Sequence, residues 1–215
     1  MNSRREFLIG AAAPLLLAWP ARSAPICALA PTLGANLCRA YIDSMNASQE
    51  TDYGSRDSRA IWVACVAVVF AIYRHIVPQS RILAEAYGSL DKIPTDAGFA
   101  VALPLARAWR DEDGVDFRAS FEPVFDDSAA SGGFDPKPLF GAIANGDPLI
   151  LIGNRHPVVL LGLAYTPDRP DRLVAGFALD PKPTVGRRSL DRDELVPNTA
   201  GGDLLLAVRT KLEKL

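Results

Sequence analysis

The chain is short of histidine and cysteine: His75 and His156 are its only histidines, and Cys27, Cys38 and Cys65 its only cysteines. No two of them stand at the spacing of a zinc finger or a helical metal pair, so the sequence carries no metal-ligand motif and implies no cofactor. Charge of one sign is also lacking. With 23 basic and 25 acidic side chains the formal charge is −2, which leaves no strong field to attract nucleic acid or an anionic membrane. There is no glycine-rich phosphate loop, since AASGGF at 129–134 has neither the lysine nor the strand-to-helix setting such loops need. The acidic clusters DEDGVD and LDRDEL read as solvated turns. Repeats and low-complexity tracts are absent too. No apolar run reaches the roughly 20 residues that span a bilayer; those from Leu8 to Ala18 and from Ala60 to Ile72 are both shorter.

What remains is the make-up of one globular domain, 215 residues with 49% hydrophobic and 22% charged side chains. Its first residues, MNSRREFLIGAAAPLLLAWPARS, have the layout of an export signal: a charged start, an apolar run and a small-residue end. The phrase SRREFLI is similar to the twin-arginine export consensus, with Ser3, Arg4, Arg5, Phe7 and Leu8 in the expected places. Cleavage before Ala24 makes residues 1–23 the signal and removes three arginines and one glutamate, so the mature chain is mildly acidic. That resemblance implies work beyond the cytoplasmic membrane, periplasmic or secreted, with no membrane association once the signal is gone. Disulfides are allowed there. Three cysteines permit three pairings, each leaving one thiol over; Cys27 with Cys38 closes a short loop in a 24–55 extension, and three free thiols are the alternative.

The remainder reads as a helical half followed by a strand-rich half, an α+β arrangement. Residues 58–74 are apolar on every face, which predicts a central buried helix. VPQSRILAEAYG predicts a second, amphipathic helix with Leu83 and Tyr87 on one face and Gly88 as its stop. His75 between the two reads as a solvated turn histidine, with no carboxylate nearby in sequence. DAGFAVALPLARAWR predicts a third helix over 96–110, bent or split at Pro104. Then VDFRASFEPVF alternates as a strand, DPKPLFGAIANGD forms a short helix ended near Gly146, and PLILIG is a buried strand. The end, GGDLLLAVRTKLEKL, reads as a last strand running into a charged helical tail.

Two longer strands, PVVLLGLAY and LVAGFALD, are joined by the turn-rich TPDRPDR. If Thr166 faces Arg172, antiparallel register carried to the open end sets His156 opposite Asp180 within a residue or two. A carboxylate on one imidazole nitrogen fixes the tautomer and leaves the other to move a proton. A histidine and an aspartate flanking a hairpin also serve as plain turn and cap residues, and Asp180 before Pro181 is a common turn opener.

In this order the motifs resemble the compact bacterial papain-like cysteine proteases, of the bacteriocin-processing and plant-effector types. The resemblance rests on IWVACVAVVFAIYRHIVPQSRILAEAYG, on HPVVLLG and on ALDPKP, and spans most of residues 56–183. It places the family's tryptophan on Trp62, the small residues after it on Val63 and Ala64, the helix end on Tyr73 and the second-helix glutamine on Gln79. It places the histidine on His156, the strand glycine on Gly162 and the orienting acid on Asp180. The histidine follows position 61 at a shorter interval than the about 130–150 residues of large papains, which suits the compact type. The implied fold is a helical lobe, 56–112, packed on an antiparallel β lobe, 113–215, within a domain of 56–215.

The departure is at the nucleophile. The position before Trp62 is Ile61, where the family carries its cysteine, and the helper glutamine is also missing: Ser55 stands there and Gln49 lies further off. Cys65 falls on the same helix face one turn, about 5.4 Å, deeper, where it reads as a structural thiol. The resemblance therefore implies a pseudopeptidase that binds a peptide or protein in its former cleft. The alternatives are a thiol hydrolase using Cys65 with His156 and Asp180, and a structural or assembly factor whose cleft is closed.

Overall fold

In this computed structural model the described residues are 26–30, 35–42, 58–94, 99–129, 134–166, 169–182 and 185–215. The expected export signal, Gln49, Ser55 and the start of the expected third helix lie outside them.

The longest helix, α1 (Ser58–Ile72), has no charged side chain between Arg59 and Arg74, and every residue from Ala60 to Tyr73 is buried. A helix apolar all round is stable only when covered all round. Each large side chain it buries contributes about 1.5–3 kcal/mol, so a charge at Val66 or Val69 would break it. Its end is closed by a Schellman pattern: the N–H of His75 donates to Phe70 O at 2.9 Å and that of Arg74 to Ala71 O at 2.9 Å. Arg74 takes the left-handed conformation that this requires, with φ of 67°.

Helix α2 (Gln79–Ala86) follows, burying Gln79 and Ile82, and stops at Gly88, φ 82°, whose N–H donates to Leu83 O at 2.8 Å. The third helix expected over 96–110 does not form. Its described part is two 3₁₀ turns, Phe99–Val101 and Leu103–Leu105, and then strand β3 (Ala108–Arg110). Pro104 removes a helix donor, and Trp109 is instead paired with Phe117 of β4 (Asp116–Asp126), so a long-range ladder overrides local helical preference. Phe70 of α1 packs on both rings, at 5.5 Å from Trp109 and 5.2 Å from Phe117. Helix α3 (Lys137–Ala144) enters through Pro136 and leaves before Gly146, φ 83°.

Among the described residues the sheet has nine strands, all paired antiparallel. The remaining ones are β1 (Ile26–Ala30), β2 (Ala35–Tyr41), β5 (Leu149–Gly153), β6 (Val158–Thr166), β7 (Arg169–Asp180), β8 (Gly186–Ser189) and β9 (Leu204–Lys214). Strand β6 is the hub: β7 takes one of its edges, while β5 and β2 share the other end to end, on Val158–Leu160 and Gly162–Tyr165. It is buried from Val158 to Ala164, which accounts for its unbroken apolar run.

Two boundaries differ from the expected ones. The 24–55 extension supplies β1 and β2 to the same sheet as the β lobe, and Cys27 lies opposite Cys38 across that pair, joined to it by a disulfide. The C-terminal tail stays in β9 to Lys214, because its even positions from Leu204 to Leu212 are buried and its ladder with β4 continues, Thr210 facing Phe121 and Lys211 facing Ser120, so it does not turn helical. No helix among the described residues is long and apolar enough to cross a membrane.

Candidate functional site

His156 sits in the turn between β5 and β6, and Asp180 is the last residue of β7. The pairs Val159 with Leu179 and Leu160 with Ala178 hold the open end of this hairpin in register. His156 Nε2 is 2.7 Å from Asp180 Oδ2. The histidine side chain is 10% exposed and the aspartate 2%.

A buried carboxylate needs partners for each oxygen, and Asp180 has them. The backbone N–H of Lys182 donates to Oδ1 at 3.0 Å, and Arg188 Nε donates to Oδ2 at 3.1 Å. Arg188 lies opposite Ala178 on β8 and turns the rest of its fork to Glu194, two bonds of 2.7 Å. Glu194 in turn accepts from the backbone of Asp191 at 2.8 Å, in a capping box that opens the 3₁₀ turn Arg192–Leu195. Burial alone would raise the Asp180 carboxyl, but the bonds from His156, Lys182 and Arg188 outweigh it and hold the pKa below the usual range. Glu194 behaves alike: burial raises it, and Arg188 lowers it further.

The other imidazole nitrogen is also engaged. Lys182 Nζ stands 3.2 Å from Nδ1. Nε2 faces a carboxylate and so carries the hydrogen, while Nδ1 faces a nitrogen that can only donate and so accepts. Beside His156 is a recess of about 10 Å³, with Arg155, Glu194, Asp203 and Leu204 in its walls. That is room for a water molecule. Arg155 is tied at its mouth to Asp191 at 3.0 Å and to Asp203 at 3.1 Å.

The helix positions singled out in the sequence are packed. Ile61 is 1% exposed and Cys65 wholly buried. Cys65 is the free thiol among the described cysteines, and its pKa is pushed well up, by burial and then by the negative charge of Asp180. A thiol so placed is protonated and inert. Trp62 donates from Nε1 to the Tyr87 hydroxyl at 2.9 Å, which passes its own hydrogen to Val101 O at 2.6 Å. This chain ties α1 to the end of α2. Gly162 is explained by close approach, since a Cβ there would lie 2.9 Å from the Tyr41 ring and 3.2 Å from Ala40 O. Gln79 is buried in α2, and Tyr73 donates to Thr210 O at 2.9 Å across to β9.

Three members of the polar network, Lys182, Arg188 and Glu194, are not legible in the sequence pattern. The only signal for Lys182 was its place two residues after Asp180, where an Asx turn forms. His75 is not the solvated turn histidine that the sequence suggests. Its Nδ1 is 2.8 Å from Asp111 Oδ2, its ring stacks on Phe117 at 4.2 Å, and its side chain is 14% exposed. Asp111 also accepts from Val115 N at 2.8 Å, so the pair pins the end of α1 to the turn between β3 and β4. No family model matches this chain, nor does any curated protein or solved structure.

Proposed function

We infer that this is an exported papain-like pseudopeptidase, a protein that does no thiol hydrolysis and holds a peptide or protein ligand around His156. One observation carries the reading. Both nitrogens of His156 have partners, and neither partner is a sulfur: Asp180 takes one and Lys182 the other. A thiol hydrolase needs its sulfur within about 3 Å of the base and partly ionised. Position 61 carries a buried isoleucine, and Cys65 has its pKa raised by burial and by Asp180. Residual catalysis by Cys65 is therefore disfavoured. Export is supported by the twin-arginine signal and by the Cys27–Cys38 disulfide, a bond that persists in oxidising compartments.

A second reading, an assembly factor with a closed cleft, is favoured by the water-sized recess at His156. One experiment separates the readings. The mature protein is incubated with a peptide library and with an electrophilic thiol probe, and peptide binding is followed by fluorescence polarisation. The pseudopeptidase binds peptides saturably, cleaves none and leaves Cys65 unlabelled. Cleavage together with labelling of Cys65 would restore the hydrolase, and neither binding nor cleavage would favour the assembly factor.

A further inference from the structure

We propose that Lys182 is a nucleophilic amine served by the His156–Asp180 pair, and that its ligand is an aldehyde captured as an imine. This goes beyond the pseudopeptidase reading and does not depend on it, because neither Ile61 nor Cys65 takes part.

The argument starts from the lysines as a set. There are five, and Lys92, Lys137, Lys211 and Lys214 are exposed, whereas Lys182 is half-buried. No carboxylate pairs with Lys182 among the described residues; its Nζ points to an imidazole nitrogen 3.2 Å away. A lysine seeking only charge neutralisation would find a carboxylate. This one finds a base whose tautomer is fixed. Asp180 holds the hydrogen on Nε2, which leaves the Nδ1 lone pair aimed at the amine. The same carboxylate holds the lysine backbone through Oδ1, so base and amine share one anchor. Arg188, gripped by Glu194, keeps that anchor ionised. The result is an amine, an orienting acid and a base between them, the order in which activated nucleophiles are assembled.

An amine beside a proton acceptor adds to carbonyl carbon. The ammonium gives a proton to Nδ1, and the amine so formed attacks the aldehyde: the Nζ–C bond forms and the carbonyl π pair moves to oxygen. The imidazolium returns its proton to that oxygen. A second transfer through Nδ1, from nitrogen to the hydroxyl group, releases water and leaves the protonated imine. Ammonium and aldehyde thus give iminium and water, with nothing oxidised or reduced.

The test treats the full mature chain with acetaldehyde and cyanoborohydride, which fixes each imine as an ethylamine, and maps all five lysines by mass spectrometry over time. Lys182 should be modified about a hundredfold faster than the four exposed lysines, the low side of what a positioned base contributes. His156→Gln should bring Lys182 down to their rate and leave theirs unchanged. Modification of Lys182 at or below the rate of the exposed lysines would overturn the proposal, and so would an advantage that survives His156→Gln. The comparison within the unmutated protein decides the matter even if the variant does not fold.

Discussion

Val159 lies opposite Leu179, and this pair sets His156 against Asp180. The hairpin reaches that register by an indirect route. At the turn Thr166 faces Arg169 rather than Arg172, and register shifts beside Tyr165 and between Leu160 and Gly162 bring the strands back into step at their open end. Bulges of this kind re-aim a strand and are placed beside sites.

Removing the charge at the centre of this network tests its electrostatics. Asp180→Asn keeps the shape but weakens the bonds from His156 and Arg188, so the variant should lose about 2 kcal/mol at pH 7 by urea denaturation. The carboxyl pKa is depressed in the fold. Its stabilisation is therefore complete above the unfolded value of about 4 and disappears as the pH drops through the folded value. The gap between wild type and variant should shrink steadily below about pH 4. A gap independent of pH would show that the charge contributes nothing.

The nucleophile position can be probed by restoring the sulfur. Ile61 lies in the first turn of α1, where unpaired N–H groups and the helix dipole favour an anion. If the papain-like alignment holds, Ile61→Cys should carry a thiol with a pKa below the ordinary value of about 8.5, alkylated faster than Cys65. Titration by alkylation rate with mass-spectrometric assignment checks this, and a new thiol as sluggish as Cys65 would mean the alignment is wrong.

A third prediction concerns the end of α1. Arg74 is exposed and sits at φ 67°, a conformation that costs a side-chain-bearing residue about 1 kcal/mol and glycine nothing. Arg74→Gly should stabilise the protein by about 1 kcal/mol, raising the melting temperature by roughly 2–4 °C for a chain of this size. Calorimetry showing a lower melting temperature would mean that the arginine contributes more than its strain costs.

Local pattern made α1, α2, α3 and the long hairpin legible: an apolar stretch too short for a membrane, a glycine stop and runs of apolar residues between turn formers. The His156–Asp180 contact followed from the hairpin, since errors at the turn and in the bulges cancelled. What stayed hidden depends on partners distant in sequence. Trp109 reads as helical until Phe117 is known to face it, and Asp111 meets His75 across 36 positions. Lys182 was hidden for a different reason, because nothing in a pattern of residues says which way a flexible side chain curls.

The brace behind the network carries the last prediction. Residues 193–197 and 202–204 are stitched together: Asp203 N donates to Asp193 O at 2.8 Å, Leu204 N to Val196 O at 2.9 Å and Gly202 N to Pro197 O at 2.9 Å. A Cβ on Gly202 would lie 2.1 Å from Val196 O and 2.6 Å from its carbonyl carbon. Both are backbone atoms, so neither can rotate away, and Gly202→Ala must push the two segments apart. The loss should be about 3 kcal/mol, the upper end for a forced methyl. Because Glu194 lies on the displaced segment, its grip on Arg188 should loosen as well, and the wild-type advantage of Asp180 over Asn should shrink in the Gly202→Ala background. Gly141 is the control. It lies inside α3 with nothing within 4 Å of a built Cβ, so Gly141→Ala should stabilise by about 0.5–1 kcal/mol. Equal effects from the two substitutions would show that contact with Val196 is not what requires glycine at 202.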